Sequence, residues 1–213
     1  MPIGRILVFW SLFIPLASFP WPAYAADATK TLRVAFSIAE TSFDPAFASD
    51  AASDGIIASV FDTMLDYDYL ARPVKLVPRA LEAMPDVEDG GRSYRCRLRK
   101  GIYFTPDPGL KGRRRELTAA DFASGFKRIL DPAVKSPWLW MLEGKLAGAD
   151  ETREKAIRSG RFDYDAPMPG LEVVDRYTLR IRLTRPDLRF PYVLAVPNMA
   201  AQARAVGGGD GRD

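Results

Sequence analysis

Residues 94–132 constrain the fold more than any other part of this chain. They begin with Tyr94-Arg95-Cys96-Arg97-Leu98-Arg99, in which apolar and basic side chains alternate. A period of two belongs to a half-buried strand, with Tyr94, Cys96 and Leu98 on one face and the arginines on the other. Lys100-Gly101 turns the chain into Ile102-Tyr103-Phe104, and a polar loop carrying Arg113-Arg114-Arg115-Glu116 follows. The spacing then becomes helical over Ala119–Leu130, where Phe122, Phe126, Ile129 and Leu130 form one apolar stripe. Thr118 stands at the N-cap, and Asp121 where a capping-box acid belongs. Pro132 cannot continue the helix.

The same reading covers the rest of the chain. Residues 32–36 read as a short buried strand and 37–50 as a loop of small and polar residues. Residues 51–65 have helical character, with Ile56, Ile57, Val60, Phe61 and Met64 on one side. Residues 67–75 form a turn region around Pro73, and 79–83 a short helical turn. Residues 86–99 make a hairpin that reverses at Asp89-Gly90-Gly91. Residues 137–142 read as a brief aromatic helix or turn. Ala149–Ser159 reads as a polar helix closed by Gly160. A second hairpin joins 171–174 to 177–183, where Tyr177, Leu179, Ile181 and Leu183 alternate with polar residues. Residues 190–196 begin another apolar segment, with Pro191 in its first turn. Strands and helices mix without strict alternation, which indicates an α+β fold built on a mixed sheet.

The N-terminus has the form of a secretory signal. Arg5 precedes an apolar run of about 12 residues, too short to span a bilayer comfortably, and Ala23-Tyr24-Ala25 fits a small-x-small cleavage pattern. Cleavage near Ala25 is expected, with the mature chain outside the cytoplasm, most simply in a periplasm. A retained anchor is the competing reading, opposed by Pro15, Pro20 and Pro22. Cys96 is the only cysteine, so no internal disulfide forms, and its place on the apolar strand face makes it a small buried hydrophobe. The chain has no histidine, which excludes Ser-His-Asp and Cys-His catalysis and histidine-ligated zinc or copper. Its 213 residues carry a net charge of only +3, which leaves no nucleic-acid footprint. The dense basic run at 113–115 reads as a solvated loop.

Leu98-Arg99-Lys100-Gly101-Ile102-Tyr103-Phe104, Leu117-Thr118-Ala119-Ala120-Asp121-Phe122 and Asp131-Pro132 occur in the order "LRKGVKF", "LTAEDV", "DP". That order resembles the extracellular solute-binding proteins of family 5, the oligopeptide- and dipeptide-binding components of ABC importers. Ser42-Phe43-Asp44-Pro45 is similar to the family's early "SLDP". Residues 60–68 are similar to "LFEGLLxYD", 76–82 to "VVPGLAESW" and 173–181 to "VEVVDDYTVRI". The resemblance covers about residues 31–197. It implies the first lobe of a two-lobed, type II periplasmic binding protein, with a signal peptide at 1–25, the lobe at 26–197 and the second lobe missing. Residues 198–213, Ala-rich and then Gly/Asp-rich, are expected to be a disordered or aberrant tail.

The resemblance also implies a function. A peptide or similar small solute binds between two lobes, and the closed form docks on the permease subunits of an ABC importer in the inner membrane. No cofactor, metal, catalytic residue or nucleic-acid partner is expected, and the protein is expected to be a monomer. Candidate solute contacts are Glu40, Thr41 and Ser42 in the loop after the first strand, with Trp138 and Trp140 as an aromatic wall. A surface glutamate and core tryptophans are the competing readings. If closure supplies about 4 kcal/mol, a lobe acting alone binds about a thousandfold more weakly. Two other classes stay open. One is a carboxylate-pair hydrolase using Asp62, Asp66 and Asp68. The other is an interaction module or truncated, non-functional remnant.

Overall fold

The computed structural model describes residues 30–31, 33–106, 112 and 114–203. The signal segment with its Ala25 cleavage site lies outside the described residues, as do Leu32, Arg113 and 204–213. The chain divides into two compact units, residues 1–35 and 36–213. The described residues of the first are exposed and have no regular structure. The strand expected at 32–36 is absent over 33–36, where Val34 and Phe36 are 67% and 52% exposed. A strand needs a neighbour for its N–H and C=O groups, and no described ladder reaches these residues.

The second unit centres on a four-stranded sheet of order β3-β4-β6-β5. Its strands are β3 (Asp86–Glu88), β4 (Ser93–Arg97), β5 (Leu171–Asp175) and β6 (Thr178–Arg182). A smaller ladder pairs β1 (Leu65–Tyr67) with β2 (Leu76–Pro78). The α+β class is as expected, but the mixed sheet is not. Every ladder among the described residues is antiparallel, because short hairpins reverse direction where parallel pairing needs a long crossover.

Alternation in β4 and β6 sets the two faces of the sheet. Tyr94 faces Ile181 and Cys96 faces Leu179 across the ladder, and all four are fully buried. On the other face Arg95 lies opposite Arg180, a like-charge pair that edge-strand acids offset. Arg95 meets Glu88 at 2.7 Å, Arg180 meets Glu172 at 3.1 Å and Arg97 meets Asp86 at 2.7 Å.

The helix α2 (Ala119–Leu130) covers the buried face. Its stripe of Phe122, Phe126, Ile129 and Leu130 is fully buried, worth about 1.5–3 kcal/mol per side chain. The Thr118 N–H and hydroxyl both donate to Asp121 Oδ2, at 2.8 and 2.9 Å. Before the helix, Gly101 adopts φ 80°, a left-handed turn that suits glycine. The Gly101 N–H donates to Glu116 Oε1 at 2.8 Å, while Glu116 Oε2 accepts from Tyr177 at 2.9 Å and Arg176 at 3.2 Å. These bonds, the Gly101 amide first, hold the Glu116 carboxyl below the usual range. The Lys100-Gly101 turn is thus held by the fold itself. The basic run is less solvated than expected, because Arg115 pairs at 2.6 Å with the buried Asp121.

Helix α1 (Ala51–Val60) ends five residues before its expected limit. Phe61 is extended, and 65–67 are drawn into the ladder with β2 instead. Residues 79–83 are not helical. The Glu82 N–H donates to Arg97 O and the Arg99 N–H to Ala80 O, both at 2.9 Å, which lays this segment along the sheet. Helix α3 (Ala149–Ser159) stops at Gly160, φ 71°, as its sequence indicates.

The first residues of the expected tail are packed. Pro197–Met199 form a 3-10 turn, and residues 198–202 are buried. They run against α2 so closely that a Cβ added at Gly125 would stand 2.5 Å from the Ala200 carbonyl oxygen.

Candidate functional site

The loop at 37–50 is organised by short polar side chains. Ser42 Oγ accepts from the Asp44 N–H, and Asp44 Oδ1 from the Ala46 N–H, each at 3.0 Å. The loop ends at Asp50, which caps α1 by accepting from the Ser53 N–H at 2.9 Å and the Ser53 hydroxyl at 2.6 Å. Thr41 Oγ1 also donates to Asp50, at 2.5 Å. Ser53 Oγ in turn accepts from the amides of Thr41 at 3.0 Å and Ser42 at 3.3 Å. The hydroxyls of Ser53 and then Thr41 hold the Asp50 carboxyl well below the usual carboxylate range.

Three distant elements fix the loop from behind. From α2, the Arg128 fork engages both oxygens of Asp44 at 2.8 and 2.6 Å and also donates to Gln202 Oε1. Trp138 Nε1 donates to Ala48 O at 2.7 Å. Asn198, itself buried, donates to Pro45 O at 3.0 Å and Ala48 O at 3.3 Å. The outward side is left open. Phe36, Ile38, Phe43 and Phe47 are each between 52% and 55% exposed. Among the described hydrogen bonds, none uses the backbone groups of residues 36–40.

The structure therefore sorts the residues selected from sequence. Glu40 is exposed on the open side. The Thr41 hydroxyl and the Ser42 amide and hydroxyl are engaged within the loop, which places both as its scaffold. Trp138 joins the loop from behind. Trp140 is 60% exposed and lies under the Lys145 ammonium, 5.6 Å from ring centre to Nζ. The sequence reading missed Asp50, Ser53, Arg128 and Asn198. Asp50-x-x-Ser53 before a helix is a capping signal visible in sequence, whereas nothing local marks Arg128 or Asn198 as loop partners.

The carboxylates that suggested a hydrolase are arranged otherwise. Arg79 pairs with Asp62 at 2.7 Å and Asp66 at 3.1 Å, so one guanidinium engages both rather than leaving them aimed at a common substrate position. The Asp68 carboxylate accepts from the Leu70 N–H at 3.0 Å within the turn. Among the described residues no group of three or more acids and cysteines is placed to hold a metal ion, and no helix is long and apolar enough to cross a membrane.

Residues 75–211 match the family described as bacterial extracellular solute-binding proteins, family 5 Middle. Over 114 residues the chain is 32% identical to the probable deoxycholate-binding periplasmic protein YgiS of Escherichia coli, which takes in 54% of this chain and 19% of that protein. It is 28% identical over 160 residues to the peptide transport periplasmic protein SapA of Salmonella typhimurium, 72% of this chain and 25% of that one. The fold is similar to that of Haemophilus influenzae OppA in complex with RPPGFSPFR, with a TM-score of 0.62 and 21% identity over 79% of this chain and 30% of that one. The chain thus spans a quarter or less of these two relatives' lengths.

Proposed function

Because this chain belongs to the family 5 bacterial extracellular solute-binding proteins, a family of binding proteins rather than enzymes, we propose that it carries one wall of a periplasmic solute receptor. The receptor serves an ABC importer, and the solute lies against residues 36–43. One observation carries this reading. Residues 41–50 are held from behind by Asp50, Arg128, Trp138 and Asn198, while among the described residues the backbone groups of 36–40 form no hydrogen bond. Free main-chain groups next to an anchored loop suit an extended peptide, whose own N–H and C=O groups pair with them regardless of side chains. Glu40 supplies a carboxylate for a cationic group such as the peptide α-amine, and Phe36, Ile38 and Phe43 supply apolar contact. A partner lobe covers the solute, and the closed form meets the permease. The names of SapA and of the OppA complex support a peptide as solute.

A second reading is favoured by the exposed phenylalanines together with the name of YgiS: an apolar acid of the deoxycholate type. Amide hydrogen exchange, read with millimolar tripeptides and separately with deoxycholate, tests both. Slowed exchange across 36–43 with peptides supports the first reading, and the same footprint with deoxycholate alone supports the second. No slowing by either ligand overturns the assignment of this face. Glu40→Gln should lower peptide affinity by up to about fivefold, at up to about 1 kcal/mol for an exposed ion pair.

A further inference from the structure

A cavity of about 280 Å³ is lined by Lys145, Leu183, Arg185, Pro186, Asp187 and Arg189. Its walls are fixed through the backbone. The Leu183 N–H donates to Arg92 O and the Thr184 N–H to Lys145 O, both at 2.8 Å, and the Asp187 N–H donates to Gly91 O at 2.9 Å. Thr184 Oγ1 bonds to Gly144 O at 2.8 Å, and the Tyr94 hydroxyl donates to Asp187 O at 2.5 Å. Three cations thus face one acid. That acid is engaged, since Asp187 Oδ1 accepts the Arg189 N–H at 2.9 Å. Among the described residues the guanidinium groups of Arg185 and Arg189 form no ion pair or hydrogen bond. The sheet arginines 95, 97, 180 and 182 all have carboxylate partners. Of the nearby acids, Asp150 accepts the Gly144 N–H, and neither it nor Glu143 lines the cavity.

The rim is apolar and exposed. Trp140, over which Lys145 sits, is 60% exposed, and Leu188, between two lining residues, is 70% exposed. A free anion would use the cations and leave these two side chains in water. An anionic bilayer surface uses both, because tryptophan and leucine settle at the headgroup boundary while basic residues meet phosphate. We propose that this groove binds the phosphate headgroup of an anionic phospholipid, with Trp140 and Leu188 resting in the interface.

The test is co-sedimentation of the full chain with vesicles of phosphatidylcholine alone or mixed with phosphatidylglycerol. The expected result is binding that requires phosphatidylglycerol and weakens with salt. The double variant Arg185→Gln/Arg189→Gln should bind about twenty-five-fold more weakly, at about fivefold for each cation near an anionic leaflet. Arg97→Gln, which removes an exposed arginine outside the groove, should bind as the parent does. All proteins compared carry the same N-terminal segment, so the difference reports on the groove. Circular dichroism confirms folding, and Trp140→Ala supplies an independent variant that should weaken binding while keeping the salt dependence. Equal binding by the parent and the double variant overturns the proposal. So does binding to phosphatidylcholine alone at the same level, or saturation by inorganic phosphate without vesicle binding.

Discussion

Replacing Gly125 by alanine tests how closely α2 and residues 198–202 are packed. A Cβ at this position would stand 2.5 Å from the Ala200 carbonyl oxygen, where a relaxed carbon–oxygen contact is about 3.3 Å. The shortfall of about 0.8 Å lies between two backbones, so no side-chain rotation relieves it. Overpacking of this kind costs about 1–3 kcal/mol, and alanine in a helix returns about 1 kcal/mol relative to glycine. Backbone on both sides favours the upper half of the cost, so Gly125→Ala should destabilise by about 1–2 kcal/mol. Gly55 in α1 is the control, because a Cβ there meets nothing within 4 Å. Gly55→Ala should stabilise by up to about 1 kcal/mol. The same chemical change thus has opposite signs in two helices. Urea unfolding followed by circular dichroism measures both, with the slope checked for constancy. Equal upward shifts of the midpoint in the two variants would refute the packing of 198–202 against α2.

Two further outcomes follow from the ionisable groups. Burial, and secondly Asp86, pushes the Cys96 thiol up to about 12. Native protein at about pH 8 should therefore react with Ellman's reagent about a thousandfold more slowly than a free thiol, with normal reactivity restored in denaturant. Rapid stoichiometric labelling of the native state would contradict this. Asp50 is depressed in the folded state from its ordinary value of 3.8, so its contribution is present above that value and is lost as pH falls through the folded one. Thermal midpoints of Asp50→Asn should accordingly fall less steeply than the parent's from about pH 5 downward, and parallel curves would count against the Ser53 and Thr41 bonds.

Features with local causes were legible in the sequence. The α2 limits follow from Thr118, Asp121 and Pro132, and those of α3 from Gly160. Alternation in Tyr94, Cys96, Leu179 and Ile181 gave the buried sheet face. The β1–β2 ladder was missed because three-residue strands are too short to show a period, so Leu65 was read as the end of a helix. Residues 198–202 looked like a tail because their order comes from remote partners: the Gln202 N–H donates to Asp121 O at 3.1 Å and the Ala201 N–H to Asp62 O at 3.2 Å. At the candidate site, the sequence singles out the loop but not the bonds that organise it. Threonine and serine beside a glutamate suggest ligand contacts equally well when they serve a helix cap, and only the position of Asp50 distinguishes the two.

The bond from Asn198 to Pro45 joins residues 153 positions apart. A chain emerging end first therefore makes the 37–50 loop long before it makes the clasp behind it. Closing so wide an interval costs entropy that only late contacts recover. The clasp can form only after residues 45 to 198 have all emerged, which leaves the 37–50 loop unset until then.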